Sequence, residues 1–141
     1  MELTSLDIGR AALAMAISTD RQEEQALRQQ LQSRGIQAVA VDFGGEYLSS
    51  VKKMIERAVV AAQRQGLIEA SHVGEGAVAG ATHAALEQIT PKAVGLNVGG
   101  KIGVARYGEH VCVAVYLGVG VLHLNEVAVG LAHRSLPMSQ E

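Results

Sequence analysis

The last third of this chain constrains its fold more than any other part. "KAVGLNVGGKIGVARYG", "HVCVAVYLG" and "EVAVGLAH" are Val-rich runs broken at short intervals by Gly, Asn, Glu or His. A branched Cβ stiffens valine and suits it to a pleated surface, so these runs predict three strands with tight connections. Helical periodicity dominates everything before them. The exception is "IQAVAVDF", residues 36–43, which reads as a strand stopped by Gly44 and Gly45.

Residues 5–17, "SLDIGRAALAMAI", are Ala-rich and mostly apolar after Arg10, as suits a helix buried over much of its circumference. Asp20 with Glu23 three residues on resembles a capping box and predicts a second helix, "RQEEQALRQQLQSR", mostly exposed. Gly35 stands where a left-handed residue ends it. From Glu46 to Gln65 the apolar positions, among them Val51, Met54, Ile55, Ala58, Val59 and Ala62, recur at three and four residues, and Gly66 ends this third helix. A fourth runs from about Val73 to Gln88, with Pro91 closing the segment. The order α-α-β-α-α-β-β-β gathers the strands late, so the expected class is α/β of the α+β type: a four-stranded, mainly antiparallel sheet covered by helices. No linker, low-complexity tract or repeat divides the 141 residues, and residues 1–141 read as one domain.

Charge narrows the function. Twelve Lys and Arg against fourteen Asp and Glu give a net charge of -2, the wrong sign for a protein that holds nucleic acid mainly through phosphates. The best local basic excess is Lys52, Lys53, Arg57 and Arg64 against Glu56, which by itself reads as a solvated helix face. Cys112 is the only cysteine and lies in an apolar run, which excludes disulfide and zinc-finger readings. With neither a signal-peptide pattern nor an apolar run of about 18 residues, the expectation is a soluble cytoplasmic protein with no membrane partner.

Local motifs give little catalytic chemistry. "DFGGE" at 42–46 shares letters with a kinase motif, but the chain has no room for the rest of that machinery. "GLNVGGKIG" at 95–103 precedes strands, whereas phosphate loops need a helix N-terminus directly after the glycines. No Ser-His-Asp set, carboxylate pair or Cys-His pair stands out by spacing, so nothing argues for an enzyme. Gly76 and Gly80 lie one turn apart on an Ala-rich helix, which suggests that another helix, a subunit or a small ligand approaches that face closely. His72 and His83 share that helix and read most simply as ordinary histidines. His123, Glu126 and His133 look like a three-ligand cluster, yet Glu126 and His133 are seven apart and fall on opposite faces of a regular strand.

Several strings in order resemble the Hut operon positive regulatory protein family, HutP. They are "IGR" at 8–10; the frame of Ala81, Thr82, Ala85, Leu86, Ile89 and Thr90; "VAVYLG" at 113–118; and "VGLAH" at 129–133. The resemblance covers nearly the whole chain and shares its order of elements. It implies a homo-oligomeric RNA-binding antiterminator, a hexamer built as a trimer of dimers. With L-histidine and a divalent metal such as Mg²⁺, such a protein binds a leader RNA carrying spaced NAG triplets and prevents a terminator from forming. It also implies three metal-ligating histidines, a helical pair and one near the C-terminus. The C-terminal one falls on His133; the helical pair falls on Gly76 and Gly80, which have no side chain to offer. His123, or a displaced His83 or His72, is the substitute candidate. Arg106, in "GVARYG", resembles a family arginine suited to a ligand carboxylate, with a plain surface arginine as the alternative.

Three readings result. The first is a HutP-like, non-enzymatic RNA-binding regulator of transcription, responsive to a small effector, with its RNA-contacting residues unassigned. The second is an oligomeric small-molecule-binding module of the same fold without RNA binding. The third is an enzyme built on His133, His123 and Glu126.

Overall fold

In the computed structural model, short polar residues start the first two helices. The structure describes residues 3–18, 20–44, 51–68, 72–93, 99–118 and 127–133. Thr4 and Asp7 close a capping box on α1 (Ser5–Ile17): the Asp7 amide donates to Thr4 Oγ1 at 3.2 Å and the Thr4 amide to Asp7 Oδ2 at 2.9 Å. The Thr4 amide and the Thr4 hydroxyl, which both donate to Asp7 Oδ2, hold the Asp7 carboxyl below its ordinary pKa. Asp20 caps α2 (Arg21–Ser33) by accepting from the Glu23 amide at 2.8 Å. Gly35 follows at φ +83°, in the left-handed region the sequence predicts for it.

The chain continues through β1 (Gln37–Gly44), α3 (Val51–Arg64), α4 (His72–Ala93), β2 (Gly99–Tyr107), β3 (His110–Gly118) and β4 (Val127–His133). All pairings are antiparallel and the sheet order is β1-β2-β3-β4. Helices therefore cover an antiparallel sheet, as expected for the α+β class. One boundary differs from expectation. The fourth helix passes Pro91 and ends at Ala93, because a proline in the last turn removes only one bond of the helical ladder near its end. The expected helical turn before Val51, and Glu126, lie outside the described residues.

Strand alternation sorts the sheet into two unlike faces. Val39, Ile102, Val104, Val111, Val113 and Val115 pack with Met54, Ala58, Val78 and Leu86 of α3 and α4. Ala38, Ala105, Cys112 and Ala114 pack with Ile8, Ala12 and Met15 of α1 and Leu31 of α2. Bulky valines on one side leave room for two helices, while small residues on the other let α1 lie almost on the backbone. Gly103 marks the closest approach. A Cβ there would collide with the Ala12 carbonyl oxygen and come within 2.9 Å of the Ala16 amide nitrogen.

Lys101 locks the same face. Its Nζ donates to the Ser18 carbonyl at 2.9 Å, to Ser18 Oγ at 3.2 Å and to Glu24 Oε1 at 3.4 Å, joining β2 to the end of α1 and the start of α2. A cation is well placed there, at the negative end of the α1 dipole. No helix among the described residues is long and apolar enough to cross a membrane.

Candidate ligand and RNA site

The β2–β3 hairpin positions Arg106. Its two-residue turn has Gly108 at φ +62° and no positive φ at Glu109, the pattern of a type II′ turn, with Tyr107 and His110 as the closing pair. Arg106 Nε donates to the Gly108 carbonyl at 2.8 Å, and Nη1 donates to the carbonyls of Gly66 at 3.3 Å and Leu67 at 3.0 Å. Gly66, at φ +75°, ends α3, where helical carbonyls lack partners within the helix. Arg106 therefore joins the hairpin to the end of α3.

His133 takes a different pleat. In the β3–β4 register it stands opposite His110, while Arg106 stands opposite Val111, one residue along. Successive strand positions alternate between faces, so the register places Arg106 and His133 on opposite sides of the sheet. His110 is the imidazole that sequence reasoning passed over. Its signal was weak, because only the register of β3 against β4 brings it opposite His133. His123 and Glu126 lie outside the described residues.

Gly76 and Gly80 are both exposed, and a Cβ built on either meets nothing within 4 Å. Among the described residues, no helix of this chain packs directly onto the two glycines. Gly76 instead opens, with Ala79, into a groove of about 450 Å³ walled by Ile55, Val59 and Val60 of α3. Gln63 Nε2 donates to Glu75 Oε2 at 2.6 Å beside it. His83 is exposed and faces Glu87 at 3.9 Å.

These positions do not fit a three-imidazole metal centre. Gly76 and Gly80 are exposed and have no side chain to offer a metal, and among the described residues no three His, Cys, Asp or Glu side chains gather where they could hold a metal ion. The two glycines, Arg106 and His133 are spread over a helix face and opposite sides of the sheet.

Comparison with known proteins is more specific. A search of curated proteins finds no match. A scan against protein families matches HutP over residues 8–134, a span that runs from the first buried residue of α1 through His133 at the end of β4. A match over every strand and nearly every helical turn of the described fold shows the family: this chain belongs to the HutP family.

Proposed function

We propose that this chain is an RNA-binding regulator of transcription that acts as an antiterminator on a leader transcript, without the metal-and-histidine switch of the helical imidazole pair. The family is one of RNA-binding regulators of histidine utilisation and not of enzymes. The observation that carries the reading is the family match over residues 8–134, which includes all four strands. The glycines at 76 and 80 support the second half, since backbone alone offers Mg²⁺ no imidazole and L-histidine no metal to bridge. A small effector at a subunit contact has the bare backbone of Gly76 and Gly80 to lie against. His133 is the imidazole retained from the family set, and His123 is a candidate substitute for a missing one. A carboxylate contact by Arg106 is the weaker part of the assignment, because it requires the guanidinium to release Gly66 and Leu67.

The test is a gel shift with NAG-repeat RNA, run with L-histidine and Mg²⁺, with each alone, and with EDTA. The expected result is a shift in every lane, by a protein that light scattering sizes as a homo-hexamer. A shift that needs both Mg²⁺ and L-histidine would overturn the switch-free mechanism. No shift in any lane would leave the second reading, an oligomeric small-molecule-binding module. The net charge of -2 and the 3% aromatic content are the features that favour that second reading over RNA binding.

A further inference from the structure

The third helix carries a cationic stripe that the family reading leaves without a task. Lys53, Arg57, Val60 and Arg64 recur at four, three and four residues and so share one face of α3. That face overhangs β1, the first strand in the sheet order. Between helix and strand runs an open cleft of about 670 Å³, a size typical of small-ligand sites. Its apolar lining is Val41 on the strand and Val60 and Ala61 on the helix, with Val60 42% exposed and Val39, only 5% exposed, at its floor.

Charge is laid out along this cleft in a particular way. Among the described residues, three cations line it against one carboxylate, Glu56. Lys53 and Arg64 have no ion-pair partner among the described residues. At 1.5 Å rise per residue, Arg57 and Arg64 are about 10 Å apart along the axis, with Lys53 a further turn beyond Arg57. Positive groups thus occupy both ends and valines the middle.

We propose that this cleft binds a small aliphatic dicarboxylate. Its chain lies on Val41 and Val60; one carboxylate meets Lys53 and Arg57 and the other meets Arg64. The lining favours this occupant over its rivals. Among the described residues, no aromatic ring lines the cleft to stack an RNA base. Two copies of the chain joined here about a twofold axis would set the same cations against each other. The proposal goes beyond transcription control, since it concerns ligand binding by the protein alone.

Calorimetric titration with suberate at low salt tests it, with succinate, octanoate and octanediol as controls. Suberate is expected to bind saturably and about tenfold more tightly than octanoate, which has one charge, or succinate, which is too short to reach both ends. Arg64→Gln, and Lys53→Gln combined with Arg57→Gln, should each bring suberate to the octanoate level, and added salt should weaken it further. Val60→Ser should weaken suberate and octanoate alike. Equal affinity for suberate and octanoate, or unchanged suberate binding by folded Arg64→Gln protein, overturns the assignment. So does absent suberate binding with loss of the NAG-RNA shift in both charge variants, which would give the cleft to RNA. Because the titration contains no RNA, its failure leaves the antiterminator reading standing, and a failed gel shift leaves the titration valid.

Discussion

Glycine shows how far a single residue's role depends on what faces it. Gly76 and Gly80 attract notice in the sequence because each costs a helix interior about 1 kcal/mol relative to alanine, yet both look onto open space. Gly103, inconspicuous in "GGKIG", is the one pressed against a neighbouring backbone. The two kinds should respond to alanine with opposite signs. Gly76→Ala should raise stability in urea unfolding by about 0.5–1 kcal/mol, because the helix gains propensity and nothing is displaced. Gly103→Ala should lower it by about 1–3 kcal/mol, because α1 must lift off β2. If the glycine face serves a subunit contact, Gly80→Ala should also reduce the hexamer in light scattering while leaving the folded protomer intact. The sequence flags glycines by the local structure they disturb, and closeness between distant segments has no local signal.

Elements were legible where their ends are made locally. Asp20, Gly35 and Gly66 sit where capping chemistry predicts, since a cap needs only its own few neighbours. The Thr4–Asp7 box has the same kind of signature and was overlooked, and Pro91 proved compatible with the last helical turn. Strand faces were harder to read, because register between distant strands decides which residues meet. That is why Arg106 and His133, both carried over from the family pattern, turn out to sit on alternate pleats. Arg106 is best assigned as the tie between the hairpin and α3. Arg106→Leu should speed hydrogen exchange at the amides of residues 66–68 and cost about 1–3 kcal/mol of stability. Arg106→Lys should recover part of both. Unchanged exchange in Arg106→Leu would return the residue to the ligand role.

At the scale of the molecule, the order of elements was enough to read the class, since helices first and strands last leave few arrangements besides an antiparallel sheet with helical cover. The candidate site was not legible in the same way. Its family positions are spread over a helix face and opposite sides of the sheet, and proximity in three dimensions is not written in spacing. The core does make one global prediction. Cys112 is fully buried against α1, and that burial pushes its thiol from 9.0 up to about 12. Between those values the unfolded chain releases a proton that the native state keeps. Stability is therefore unaffected by this group below about pH 9 and falls as pH rises from there toward 12. Urea midpoints measured from pH 8 to 11 should decline, and Cys112→Ala should flatten the decline. A slope unchanged in the variant would assign the effect to other groups. For the same reason a thiol reagent at pH 8 should label the protein only after unfolding.

The direct pairing of β1 with β2 has a consequence in time. Gln37 meets Arg106 across roughly seventy intervening residues that hold both α3 and α4. On a ribosome β1 emerges long before its partner exists, with no other strand beside it. The N-terminal helices can form at once, whereas the sheet waits until the hairpin has been made. A chain released early would carry an unpaired, valine-bearing strand, so truncation before β2 should yield a species that seeks other strands rather than a smaller folded protein.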